Sequence, residues 1–160
     1  MIKYCGAYVT FQEVPNEVSL TLTITNCPHR CKGCHSSWLQ TDIGDELTQQ
    51  ALEKMIEGYG DGISCVCFMG EGNDPRALAN MILTAHINGK KVCLYSGESA
   101  FTDIEALNIL DVNEWPDYIK LGPYMEDRGG LACPGTNQVM LKRRKGLFEN
   151  ITRRFWKEKK

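Results

Sequence analysis

The chain has no apolar run near the roughly 20 residues that a membrane helix needs. Its opening, Met1-Ile2-Lys3-Tyr4-Cys5, lacks the apolar core of a signal peptide. Both absences lead us to expect a cytoplasmic protein with no membrane contact. The 3 histidines are too few and too scattered for a histidine-built catalytic centre. No internal repeat and no low-complexity linker divides the 160 residues, so a single domain over 1–160 is expected. Hydrophobic content of 42% and charged content of 24% are ordinary for a globular protein. That core argues against reading the 8 cysteines as the disulfide framework of a small secreted scaffold.

The most informative absence concerns those cysteines. Cys27, Cys31 and Cys34 sit in the run Asn26-Cys27-Pro28-His29-Arg30-Cys31-Lys32-Gly33-Cys34-His35, and no fourth cysteine lies at a short spacing. Three thiolates hold three irons of a cubane [4Fe-4S] cluster and leave one iron open to a ligand, which suits chemistry better than electron storage. A zinc knuckle with His29 or His35 as fourth ligand is the competing reading, although zinc sites more often pair two cysteines with two distant ligands. An open-iron cluster is oxygen-labile, so an anaerobic setting is expected.

The rest of the chain alternates between strand and helix patterns. Residues 19–25 read Ser-Leu-Thr-Leu-Thr-Ile-Thr, a period-two strand that runs into the cysteine loop. Apolar spacing predicts a helix over 47–56, ended by Gly58 and Gly60, and a buried strand over 63–69. Asp74-Pro75 opens a second helix that Asn88-Gly89 stops. Further strands are predicted over 90–95, 117–121 and 138–141, and a helix over 101–110. Such alternation gives βαβ units and a parallel sheet, an α/β fold of about five strands and too short for an eightfold barrel. The cysteine loop, Gly70-Glu71-Gly72, Ser96-Gly97 and Lys120-Leu121-Gly122 each follow the C-terminal end of a strand. Parallel α/β folds place their active sites along that edge.

The cysteine string resembles that of the radical S-adenosylmethionine enzymes. With Gly33 where most of that superfamily has an aromatic residue, it is similar to a narrower branch, the activating enzymes of anaerobic ribonucleoside-triphosphate reductase. Phe11-Gln12-Glu13-Val14-Pro15-Asn16-Glu17-Val18, Cys65-Val66-Cys67-Phe68-Met69-Gly70, Lys120-Leu121-Gly122-Pro123-Tyr124 and Gly135-Thr136-Asn137-Gln138 extend the likeness over nearly the whole chain. The resemblance implies a partial, open β/α barrel and an oxidoreductase that binds S-adenosylmethionine at the open iron through its amino and carboxylate groups. One electron would cleave the cofactor to methionine and a 5′-deoxyadenosyl radical. That radical would take hydrogen from a backbone glycine of the partner reductase. Flavodoxin or ferredoxin would supply the electron. An activase of the formate C-acetyltransferase type is the nearest alternative, and a non-catalytic iron–sulfur or zinc protein is the alternative of another class. No Arg-x-x-Gly-Tyr segment occurs, so this chain would generate the radical without storing it.

Individual roles follow from the same resemblance. Backbone amides around Gly33, Cys34 and His35 would bond cluster sulfides or the adenine. The family has Gly-Gly-Glu or Gly-Gly-Asp where this chain has Gly70-Glu71-Gly72, and the acid receives the methionine ammonium. Here the acid falls one place early, which leaves Asn73 and Asp74 as substitutes, or an ordinary turn capped by Asp74. Ser96 would bond the ribose or the carboxylate, with a plain turn as the alternative. Lys120, on a mostly apolar strand, needs an anion, which the cofactor carboxylate would supply, or else is a surface lysine at an edge.

Cys65, Cys67 and Cys93 read as small core residues, and Cys5 and Cys133 as redox-active thiols or ligands of a second metal. Residues 141–160 carry nine Lys/Arg against two Glu, or +7, while the remainder carries nine Lys/Arg against eighteen Asp/Glu, or −9. The basic segment from about 141 is either a solvated tail or a docking surface for an acidic partner protein. No recognised nucleic-acid module accompanies it.

Overall fold

The computed structural model describes residues 1–34 and 36–156. Eight strands form one mixed sheet in the order β3-β1-β2-β4-β5-β6-β7-β8, which does not close on itself. They are β1 (Lys3–Thr10), β2 (Ser19–Ile24), β3 (Asp45–Glu46), β4 (Cys65–Met69), β5 (Lys91–Tyr95), β6 (Tyr118–Leu121), β7 (Val139–Arg144) and β8 (Leu147–Asn150). The central four, β2-β4-β5-β6, are parallel, and every other pairing is antiparallel. The expectation of about five strands in a parallel sheet is therefore corrected. The parallel centre is present, and antiparallel strands that the alternation rule does not reach extend it on both sides.

Three helices, α1 (Gln49–Tyr59), α2 (Pro75–Ile87) and α3 (Glu105–Ile109), link the parallel strands. Thr48 Oγ1 accepts from the Ala51 amide at 3.0 Å and Asp74 Oδ1 from the Ala77 amide at 3.1 Å, so each of the two long helices starts on a side-chain cap. The helix predicted over 101–110 breaks at Ile104, whose extended backbone separates a 3-10 turn, Phe101–Asp103, from α3.

The alternation in each strand sorts side chains between two faces. Leu20, Leu22, Ile24, Val66, Phe68, Val92, Leu94, Ile119 and Leu121 pack with helix residues such as Leu52, Leu78, Ile82 and Leu107. The opposite face holds Cys65, Cys67, Cys93, Tyr118 and Met140, with Val14 and Ile151 packed over them. All three of these cysteines are fully buried, and burial pushes the Cys65 and Cys93 thiols well above their ordinary range. They are core residues.

Residues 141–150 do not trail from the body. They belong to the β7–β8 hairpin, whose first strand pairs with β6 from Tyr118↔Lys142 to Leu121↔Val139. Among the described residues, no helix is long and apolar enough to cross a membrane.

Candidate active site

Because β2, β4, β5 and β6 run parallel, the turns that follow them lie along one edge. The register aligns Thr23, Met69, Tyr95 and Lys120 as the last row before those turns. The cysteine loop leaves β2 through Asn26 in a left-handed conformation (φ 59°). It is anchored by the Cys27 amide on the Leu39 carbonyl (3.0 Å) and the Cys34 amide on the Cys31 carbonyl (3.2 Å). Gly33 has φ 72°, a conformation that a glycine adopts without strain. All three cysteines are free and partly buried. Burial pushes the Cys27 thiol up, with Cys31, Cys34 and Glu71 adding to the effect, and its Sγ donates to the His29 carbonyl at 3.7 Å.

Gly70 (φ 115°) and Gly72 (φ 67°) give the turn after β4 a path open to glycine, and between them stands Glu71. Burial pushes its carboxyl up, while hydrogen bonds from His29 and Ser96 pull it back. His29 Nε2 donates to Glu71 Oε2 at 2.7 Å and lies 3.8 Å from Glu98 Oε1. Ser96 is buried, and its Oγ accepts from the Glu98 amide at 2.9 Å. Asp74 is engaged elsewhere: besides capping α2 it bonds the N-terminal ammonium. Of the two acids, Glu71 is the one that faces the cysteine loop.

Lys120 is 8% exposed and makes no ion pair among the described residues. Its ammonium donates to the Ser96 carbonyl (3.0 Å) and the Gly122 carbonyl (2.7 Å). Burial pushes it down to about 8, against the pull of Cys31, Glu71, Cys27 and Cys34. A buried cation whose surrounding charges are three thiols and a carboxyl has capacity for an anion.

The structure thus brings Cys27, Cys31, Cys34, Gly70, Glu71, Gly72, Ser96 and Lys120 to one edge, with Gly33 in the same loop. His35 lies outside the described residues. The sequence reading missed Glu98 and gave His29 no role beyond that of a zinc ligand. The spacing Ser96-Gly97-Glu98 was the available signal for Glu98. Among the described residues, His29, Glu71 and Glu98 are the three potential ligands whose donor atoms all lie within 4.8 Å; the thiols of Cys27, Cys31 and Cys34 do not converge so closely. Exposed Cys5 and Cys133 join no such group either. No protein-family model, curated protein or solved structure matches this chain.

Proposed function

We propose that this chain is an activating enzyme of the radical S-adenosylmethionine kind, which forms a glycyl radical on an anaerobic ribonucleoside-triphosphate reductase in the cytoplasm. The observation that carries the reading is the meeting of the cysteine loop with Glu71, Ser96 and Lys120 at the C-terminal edge of four parallel strands. In this reading the open mixed sheet is a partial barrel, and the partner protein covers its uncovered side.

The donor set fits the group that the cysteine spacing calls for. The three loop cysteines are free thiols, and three thiolates without a fourth cysteine suit three irons of a cluster better than a structural zinc, which takes four ligands. Cys27, Cys31 and Cys34 would hold a [4Fe-4S] cluster. The chemistry such a group would supply is one-electron cleavage of S-adenosylmethionine to methionine and the radical that takes hydrogen from glycine, with a flavodoxin or ferredoxin as the electron source.

The chain's own residues bind and orient. Lys120 receives the cofactor carboxylate, and its two carbonyl partners hold the ammonium in place before the anion arrives. Glu71 receives the amino group. The glycines beside it let backbone approach closely, and Ser96 fixes the turn next to it through the Glu98 amide.

The test is anaerobic reconstitution, dithionite reduction and addition of S-adenosylmethionine. Chromatography is expected to show methionine and 5′-deoxyadenosine, and mixing with the reductase is expected to give a glycyl radical EPR doublet. Absence of cleavage overturns the reading. Brisk cleavage without a doublet moves the partner to another glycyl radical enzyme, such as the formate C-acetyltransferase type.

A further inference from the structure

His29 is placed two residues after Cys27 and two before Cys31. Among the described residues, it is the side chain of the 27–34 loop that hydrogen-bonds outside that loop, reaching the β4 turn through Glu71 at 2.7 Å. Its carboxylate partner can only accept when ionised, so Nε2 carries the proton. The ring also occupies the space above the β5 turn. A Cβ built on Gly97 would lie 2.6 Å from His29 Cδ2 and 2.7 Å from Cγ. Gly97 has no left-handed backbone to explain it. The ring does explain it, since any larger residue there would push the imidazole off. Glu98 flanks the ring on the same turn, at 3.8 Å.

We infer that His29 is a positioning residue: its imidazole clamps the cysteine loop onto the β4 and β5 turns and thereby sets Cys27 and Cys31 against Glu71. The inference rests on the reading of the three cysteines as cluster ligands. It adds that their distance from the acid is fixed by one side chain before any cofactor enters. The clamp has two independent components. One is a charge-assisted hydrogen bond in a partly buried setting, where such bonds are strongest. The other is ring-on-backbone packing that depends on the absence of a side chain at residue 97.

The experiment first uses the iron-free protein, kept reduced, and follows alkylation of each cysteine by mass spectrometry. In His29→Ala and Gly97→Ala, Cys27 is expected to react roughly tenfold or more faster than in the parent, because the loop loses a charge-assisted bond or its packing. His29→Gln, whose amide replaces the Nε2 donor, is expected to stay within about twofold. Cys65, Cys67 and Cys93 remain unreactive wherever the sheet is intact, as their full burial requires. An unchanged Cys27 rate in His29→Ala overturns the clamp. If that variant exposes the sheet thiols, Gly97→Ala decides by the same two outcomes.

A second arm measures how fast a chelator strips iron from the reconstituted protein, where His29→Ala is expected to lose it roughly 10- to 100-fold faster. A parent that takes up no iron defeats the cluster reading, and the alkylation rates still decide the clamp.

Discussion

At the N-terminal ends of the parallel strands a buried acid, Glu17, and a half-buried one, Asp117, have donors and cations beside them, whereas at the C-terminal ends the buried Lys120 has no ion pair among the described residues. Glu17 accepts from Lys91 Nζ (2.9 Å), Tyr118 Oη (3.1 Å) and Ser64 Oγ. Asp117 accepts from His86 Nε2 (3.1 Å) and the Val92 amide (2.9 Å), with Arg143 at 3.8 Å. Across the sheet, Lys120 holds only backbone carbonyls among the described residues, and burial pushes Glu71 up in spite of its bonds from His29 and Ser96. A fold satisfies its buried charges where they serve stability. We propose that an edge leaving a cation between thiols and an acid is arranged to take up an anion.

The comparison breaks most readily by mutation. Glu17→Ala is expected to lower the unfolding free energy of the iron-free protein by about 2–3 kcal/mol, since it strands the buried Tyr118 hydroxyl and leaves cofactor binding alone. Lys120→Met is expected to do the reverse. Removing a buried, unpaired cation leaves stability within about 1 kcal/mol of the parent, on the stabilised side. Affinity of the reconstituted protein for S-adenosylmethionine would then fall roughly tenfold or more. Urea titration and calorimetry measure the two quantities, and destabilisation by both variants alike would erase the distinction between the edges.

Acid sharpens the comparison, because the two carboxyls shift in opposite directions. For Asp117, burial pushes up, but the bonds from His86 and Val92 outweigh it and the carboxyl lies below its ordinary range. The unfolded chain therefore binds a proton first, and stability present above the ordinary range is lost as pH falls through the folded value. For Glu71, burial leaves the folded value above the ordinary range. The folded chain binds a proton first, so this residue adds stability as pH falls through that folded value toward the unfolded one. Asp117→Asn is expected to flatten the acid loss and Glu71→Gln to remove the gain, read as urea midpoints of the iron-free protein from pH 7 to about pH 3.

Much of this arrangement was legible beforehand, and the reasons for the misses are physical. Strands β2, β4, β5 and β6 stand within two residues of their predicted ends, because buried parallel strands are near-continuous apolar or period-two runs. The shared edge followed from that alternation. Strand β1 escaped because Lys3–Thr10 carries Gly6 and buries none of its residues fully, so it lacks the apolar alternation of the central strands. Strand β8, Leu147–Asn150, is short and mostly exposed. Meetings between turns are a different matter. That His29 reaches Glu71, and that Lys120 finds carbonyls rather than a carboxylate, depends on how four loops fold over one edge, which no local pattern encodes.

The basic segment gives the smallest expected effect. Arg143 is turned inward to the Trp115 carbonyl and Asp117, and Arg144 pairs with Glu149, so among the described residues of this segment Lys145, Arg153, whose guanidinium lies over the Trp156 ring, and Arg154 are the exposed cations without an ion pair. Lys145→Glu with Arg154→Glu is expected to weaken association with the reductase roughly two- to fivefold, more at low salt. Association indifferent to both variant and salt would leave the hairpin a structural element alone.

In the proposed activase the C-terminal edge holds its cluster through the three loop cysteines and no others. This is tested most directly by iron and sulfide analysis after anaerobic reconstitution of Cys27→Ala, Cys31→Ala, Cys34→Ala and Cys65→Ala beside the parent. About four irons per chain are expected in the parent and in Cys65→Ala, and a lost cluster in each of the other three. Full iron in any loop variant, or equal loss in Cys65→Ala with the sheet intact, would contradict it.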